Sequence, residues 1–323
     1  MIIPVKPGGE VRAVARLAAV DYPEDAFEVL VAEGRQPSRQ RNRAAQMARG
    51  EILYFLDDDS LLEPGNLRRL SSQYADPAVV AVGGPSLTPA DDSRRQRCFG
   101  LALASVFGGG GVRNRYRRAG ALRAADDREL ILCNLSFRAA GFRDSGGFDE
   151  RLYPNEENEL LTRLARQGGR ILHDPDLAVW RSQRPTFTAF VRQLFTYGRG
   201  RAEQTLLGGG AGILTFVPTL FLLYLCLLPF GDNPVYYLPL LCYAIADMLF
   251  ALLAAAPAGC WLLAPCLLLV FPLLHLSYGA GMLAGFIAPR FRRNRPASRE
   301  PTIRIVKGMT DGSAAASRAN GRH

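Results

Sequence analysis

Between residues 211 and 288 the chain carries no lysine or arginine, and its only acids there are Asp232 and Asp247. A stretch this long without cations is not the surface of a water-soluble domain; it calls for hydrocarbon around it. A helix crosses a bilayer in about 20 residues, and the stretch divides into apolar segments at residues 212–230, 235–256 and 259–288. The first two suit one crossing each, whereas the third is long for one and contains His275 and several glycines. Arginines flank the region at 192–201 and 290–299. Loops rich in Arg and Lys stay on the cytoplasmic face, so both flanks are expected there, which requires an even number of crossings. The third segment is therefore expected to be re-entrant, interfacial or folded into a tight hairpin. The tail, residues 289–323, is basic, turns rich in Ala, Ser and Gly beyond Pro301, and is expected to be largely disordered. Ionisable groups inside such a region are costly, so Asp247 and His275 are either functional or line a cavity.

Residues 1–204 have the opposite character, dense in Arg, Asp and Glu, and are expected to form one polar domain. The whole-chain averages, 48% hydrophobic and 21% charged, conceal this division. No charged, apolar, small-residue leader opens the chain, so the polar domain is expected on the cytoplasmic side of an inner or plasma membrane. The net charge of +9 suits lipid headgroups, nucleotide phosphates or nucleic acid. Without zinc-finger spacing, an RNA-binding aromatic signature or a long basic tract, nucleic acid is not expected as a partner. The six cysteines include no Cys-x-x-Cys pair, so neither a disulfide framework nor a cysteine metal site is expected.

Strand and helix signals alternate through the polar domain. Apolar runs at Ile2–Val5, residues 28–32, Ile52–Leu56, Val79–Gly83, residues 130–137 and Arg170–His173 read as strands, several with the unbroken hydrophobicity of strands buried on both faces. Helical spacing appears at residues 10–20, 38–49, 157–167 and 186–204. This order predicts an α/β fold, a mostly parallel sheet with helices on both faces. Residues 186–204 put Phe187, Phe190, Val191, Leu194 and Phe195 on one side, which suits an amphipathic helix along the bilayer surface. Residues 91–127, with four consecutive glycines and a basic run at 113–118, read either as a mobile surface loop or as a flap over a phosphate or lipid headgroup.

The strongest chemical signal is Asp57-Asp58-Asp59 at the end of the apolar run Ile52–Leu56. Ligands of open α/β sheets bind beyond the carboxyl ends of strands. Carboxylates crowded there repel one another unless a cation sits among them, and a hard divalent ion such as Mg2+ or Mn2+, shared with a diphosphate, meets that need. A solvated turn ahead of a helix is the simpler alternative.

The surrounding motifs narrow the choice. Arg41-Asn42-Arg43-Ala44 precedes Gly50-Glu51 and the strand leading into Asp57-Asp58-Asp59. Asn134-Leu135-Ser136-Phe137-Arg138, Gly146-Gly147-Phe148-Asp149-Glu150, Glu156-Glu157 with Leu160, and Tyr197-Gly198-Arg199-Gly200-Arg201-Ala202 follow in order. The ordered set resembles the family 2 glycosyltransferases over residues 1–202. That resemblance implies a GT-A fold, a nucleotide-diphosphate sugar donor, Mg2+ or Mn2+, and inversion at the anomeric carbon. It implies that Asp57 contacts the ribose or the metal, that Asp58 belongs to the donor site, and that Asp59 holds the metal against the diphosphate. Arg41 and Asn42 would line the donor site. Glu157 stands where the family has the Asp that accepts the acceptor's proton, and Glu156 is the second candidate.

Some positions depart from the pattern. Pro4-Val5-Lys6-Pro7 replaces the usual apolar-Tyr-Asn-Glu, and Glu33 stands where an acidic pair ordinarily reads the nucleobase. Pro4 and Glu33 are accordingly expected in an altered donor loop. No Gln-x-x-Arg-Trp box is present near Gln193, so one sugar per binding event is expected. Arg199 and Arg201 are expected either to hold a diphosphate or lipid phosphate or to snorkel to membrane lipids. The acceptor is expected to be lipid-linked, or another membrane lipid, in surface-glycan assembly. The rival expectation is a degenerate transferase-like domain serving as a membrane scaffold or partner subunit.

Overall fold

The computed structural model describes residues 1–208, 212–256, 259–292 and 299–309. Its strands are β1 (Ile2–Val5), β2 (Val29–Glu33), β3 (Ile52–Leu56), β4 (Leu61–Leu62), β5 (Val79–Gly83), β6 (Ser86–Leu87), β7 (Arg123–Ala124), β8 (Asn134–Arg138), β9 (Arg170–His173), β10 (Val179–Trp180) and β11 (Thr302–Lys307). Eight of them form one twisted sheet in the order β11-β2-β1-β3-β8-β5-β9-β7, while β4, β10 and β6 make a small sheet beside it. In the large sheet β1, β2, β3, β5 and β9 run the same way; β8 runs against both its neighbours, and β7 and β11 run against the strands they flank.

The helices of the polar domain are α1 (Pro37–Met47), α2 (Asn66–Gln73), α3 (Arg94–Ala104), α4 (Val106–Gly109), α5 (Ala139–Asp144), α6 (Glu156–Arg166) and α7 (Phe187–Leu206). The helix expected over residues 10–20 forms as a 3₁₀ segment, Arg12–Ala19. Successive strand residues point to opposite faces, so each strand feeds two cores. Ile2, Leu30 and Phe55 face one core with Ala44, Phe142, Phe148 and Leu160. Ile3, Val31 and Tyr54 face the other with Leu67 and Leu70. The predicted α/β layering, a sheet with a core on each face, is therefore realised. Within the first core Phe55, Phe137, Phe142 and Phe148 pack with ring centroids 5.0 to 5.9 Å apart.

Residues 91–127 are not the loop or flap expected. Ser93 and Gln96 cap α3 reciprocally, and Cys98, Phe99, Ala102 and Leu103 are buried along it. Phe99 stacks on Phe190 of α7 at 4.1 Å. The spacing of those apolar residues and the Ser-x-x-Gln box are helix signals that the glycines and arginines of the same segment obscure.

The apolar region forms α8 (Val217–Leu227), α9 (Leu238–Ala255) and α10 (Ala264–Ile287). With their flanking turns they give three helices long and apolar enough to cross a membrane: Ile213–Phe230, Pro234–Ala255 and Trp261–Arg292. The first two expose most of their apolar side chains, whereas α10 is the most enclosed by protein. It is one continuous helix, so the hairpin alternative is excluded. Its glycines are contact points, not breaks. A Cβ on Gly281 would lie 1.9 Å from the Phe195 carbonyl oxygen, and one on Gly285 would lie 2.6 Å from that of Arg199. Further along, Arg290 pairs with Glu203 at 2.7 Å. Rising numbers meet rising numbers, so α10 lies parallel to α7 with the backbones touching.

The tail also departs from expectation. Thr302, Ile303, Arg304 and Ile305 of β11 pair with Glu33, Ala32, Val31 and Leu30 of β2. The open edge of β2 offers unpaired N–H and C=O groups, and Ile303 packs against the first core. The reading of a disordered tail followed its Ala, Ser and Gly content, which averages away a six-residue alternating strand. Residues 310–323 and the expected basic positions Arg293 and Arg295 lie outside the described residues.

Candidate active site

The acidic triplet leaves the carboxyl end of β3 in a turn fixed by Ser60, whose hydroxyl donates to the Cys133 carbonyl at 3.0 Å and accepts from the Asp57 N–H at 3.3 Å. Two arginines from distant segments converge on it. Arg41, on α1, donates to Asp57 Oδ1 at 2.9 Å and to Glu156 Oε1 at 2.9 Å. Arg181, one residue beyond β10, lies 3.1 Å from Asp57 Oδ2 and donates through Nε to Asp59 Oδ1 at 2.6 Å. The groups form a ladder in which acids and arginines alternate: Glu156, Arg41, Asp57, Arg181, Asp59. Burial pushes the Asp57 carboxyl up, but Arg181 and Arg41 outweigh it and hold Asp57 below its ordinary value. Asp58 stands outside the ladder, and burial, with Asp59 and Asp57 crowding it, raises its pKa.

Glu156 and Glu157 open α6, where the helix dipole favours carboxylates. Asn155 just before them has φ 84° and turns the chain into the helix. The two acids are held differently. Glu156 is 1% exposed and tied to Arg41, and its Oε2 has no partner. Burial raises its pKa to about 8, against the pull of Arg41 and with Glu157 adding to the rise. The Glu157 carboxylate has a looser neighbour, Arg115 Nη1 at 3.9 Å. Arg115 is itself fixed by Asn158 Oδ1 at 2.6 Å and by the carbonyls of Arg128 at 2.7 Å and Asp127 at 2.5 Å. Glu157, 6% exposed, is thus the less tightly held of the two acids.

The family model for glycosyl transferase family group 2 matches residues 52–288, from β3 through the apolar helices. The chain belongs to glycosyl transferase family group 2. Among curated relatives, the pre-mycofactocin glycosyltransferase of Mycobacterium tuberculosis (strain CDC 1551 / Oshkosh) is 25% identical over 51% of this chain and 34% of its own length. The succinoglycan biosynthesis protein ExoA of Rhizobium meliloti (strain 1021) is 30% identical over 41% of this chain and 37% of its own. This family 2 chain therefore spans about a third of the length of those relatives. Among solved structures, the mannosyltransferase PcManGT from Pyrobaculum calidifontis, in complex with GDP-Man and Mn2+, superposes with a TM-score of 0.53 at 17% identity, over 88% of this chain and 85% of that one. That likeness establishes the fold.

The remaining predicted residues of this family 2 site divide. Pro4 sits in β1 opposite Ala32. Glu33, at the end of β2, accepts from the Gly8 N–H at 3.2 Å. Asn42 faces the turn at residues 146–150: it accepts from the Phe148 N–H at 2.9 Å and donates to the Phe148 carbonyl at 2.9 Å and to Glu150 at 3.2 Å. Arg199 donates to the Ala288 carbonyl at 2.6 Å, and Arg201 to Asp127 at 3.2 Å, so both guanidinium groups are engaged where α7 meets its neighbours. Arg181 and Arg115 were not foreseen. Arg181 lies 122 residues from Asp59, and no local spacing links two segments that only the sheet brings together.

Among the described residues no group of three His, Cys, Asp or Glu side chains is arranged to hold a metal ion. The donor chemistry nonetheless fits Mg2+ or Mn2+ as a shared ion. Asp57 and Asp59 offer hard oxygens, and a cation would relieve the crowding by these two acids that, after burial, raises Asp58. Asp59 and Asp57 would be the carboxylates to hold such an ion, which would supply charge neutralisation for a diphosphate.

Proposed function

We propose that this family 2 protein is an inverting transferase that moves a sugar from a nucleotide-diphosphate donor to a membrane-associated, lipid-linked acceptor in surface-glycan assembly. The observation that carries the reading is the ladder from Glu156 to Asp59 beside the more loosely held Glu157. It sets a cation-seeking acidic turn and a candidate base at one end of the sheet. The GDP-Man and Mn2+ held by PcManGT, and the role in succinoglycan biosynthesis named for ExoA, favour the same class.

The chemistry follows from the side chains. Glu157 takes the proton of the acceptor hydroxyl while that oxygen attacks the anomeric carbon. The bond from that carbon to the diphosphate breaks, the nucleoside diphosphate leaves with the electron pair, and a single displacement inverts the centre. Arg41 holds Asp57 and Glu156 in fixed orientations. Arg115 holds the start of α6, and so the aim of Glu157. When bound, Mg2+ or Mn2+ supplies charge neutralisation for the leaving diphosphate.

The proposed organisation is a catalytic domain at residues 1–204, with α7 at the membrane surface, and a membrane region at residues 211–288. Strand β11 follows the last apolar helix and hydrogen-bonds to β2, which supports an even number of crossings. Helices at Ile213–Phe230 and Pro234–Ala255 cross, and α10 stays at the interface against α7. The arginines on both flanks favour the cytoplasmic side. A reporter fused at His323 is expected to read as cytoplasmic, and a periplasmic reading would refute this arrangement.

The decisive experiment screens the detergent-purified protein against a panel of UDP- and GDP-sugars with Mg2+ or Mn2+. Transfer or hydrolysis with one donor, abolished by chelator and by Asp59→Asn, is expected. A folded sample that neither binds nor turns over any donor would instead favour a scaffold.

A further inference from the structure

We infer that Arg181 is the resident counter-cation of the acidic turn and exchanges places with the divalent ion when the donor binds, an inference that rests on the donor reading above. The Arg181 guanidinium bridges Asp57 and Asp59, 3.1 Å from one and 2.6 Å from the other. Its side chain is 17% exposed, and theirs are 23% and 21% exposed. The contact is thus a partly buried, charge-assisted fork and not a loose surface pair. It satisfies the carboxylates that a divalent ion would otherwise neutralise. A cation that takes Asp59 Oδ1 displaces Arg181 from it.

The released guanidinium then needs an anion, and the donor brings one. Planar, with donors arranged as a fork, it suits two oxygens of a diphosphate as well as it suits two carboxylates. Arg41 cannot take that part, because its two ends are occupied by Asp57 and by the buried Glu156. Arg181 is also the more movable of the two. It follows the short strand β10, at a chain segment without regular structure before α7, whereas Arg41 is 4% exposed in the middle of α1. Divalent ion and diphosphate are therefore coupled through one side chain. Each is bound weakly alone, because one must evict Arg181 and the other must find it free, and each favours the other by the same factor.

The test measures Mn2+ binding by electron paramagnetic resonance, without nucleotide and with saturating UDP or GDP, together with nucleotide binding in saturating Mn2+. In Arg181→Gln, Mn2+ alone is expected to bind about tenfold tighter than in the unaltered protein, and nucleotide about tenfold weaker. With nucleotide binding in the absence of Mn2+ unchanged, the factor by which nucleotide enhances Mn2+ binding should then fall about tenfold. Arg181→Lys keeps the charge but loses the fork, so Mn2+ alone should stay weak while nucleotide binding falls. This variant carries the test if the glutamine variant does not fold. Unchanged Mn2+ affinity in Arg181→Gln overturns the inference, and so does loss of both ligands, which would make Arg181 a brace of the turn. If the unaltered protein binds neither Mn2+ nor nucleotide, the donor reading itself fails.

Discussion

Gly147 lies against Asn42 so closely that a Cβ on the glycine would sit 2.7 Å from the asparagine Oδ1, and its φ is +72°. Both features demand glycine. The asparagine in turn clamps the following residue through its N–H and its carbonyl, so an α1 residue and the turn ahead of α6 form one unit. Gly147→Ala is expected to cost about 1–3 kcal/mol of stability, seen as a lowered melting temperature in detergent. An unchanged melting temperature would show that the turn is not needed to hold α6.

Glu157→Gln should lower kcat by about 10²–10⁴-fold while nucleotide affinity stays within a few-fold. Glu156→Ala should instead act on stability, because Arg41 loses a buried partner. Equal loss of kcat in both variants, with equal melting temperatures, would contradict the division of labour between the two acids.

Asp57 links stability to pH. Its pKa is depressed in the folded protein, so the unfolded chain binds the proton more readily. The stabilising contribution is complete above the ordinary aspartate value of about 4 and is lost as pH falls through the lower, folded value. Asp57→Asn leaves two guanidinium groups facing a neutral side chain and is expected to cost ~3 kcal/mol at pH 7. Melts between pH 3 and 7 should show the gap between this variant and the unaltered protein narrowing as pH drops below about 4. A gap independent of pH would place the ladder's contribution elsewhere.

At the contact between α7 and α10, Gly281→Val inserts a branched side chain where 1.9 Å separates a virtual Cβ from the Phe195 carbonyl. The helices must part, and Arg290 then loses Glu203. Folded yield by size-exclusion chromatography should collapse. Gly212→Ala, with nothing within 4 Å of its virtual Cβ, should behave as the unaltered protein. Equal yields would mean that α10 does not dock on α7 in solution.

The layered fold was legible because its signals are local. The unbroken apolar run of β3 and the boundaries of β1, β5 and β9 could be read from a few residues each. So could Asp57-Asp58-Asp59 and Glu156-Glu157, which end and begin regular elements. What sequence could not supply was the pairing of distant segments. Arg181 reaches the acids only because β10 lies beside β4, just after the triplet. Asn42 reads as a donor contact until the turn at Gly147 is seen folded over it. Strand β11 pairs with a partner almost a chain length away, and the glycines of α10 look like interruptions until α7 is laid along them.

The placement of β11 makes the run of apolar helices α8 to α10 an insertion within the domain. Nearly the whole chain separates β2 from the strand that covers its edge. At a ribosomal rate of 5–20 residues per second, that edge waits roughly 15–50 s for its partner. Helices α8, α9 and α10 leave the ribosome in that interval. On the proposed membrane arrangement, completion of the sheet therefore comes last, after the bilayer has taken up its share of the chain. A molecule whose helices fail to insert keeps a bare strand edge, which marks it for aggregation or for quality control.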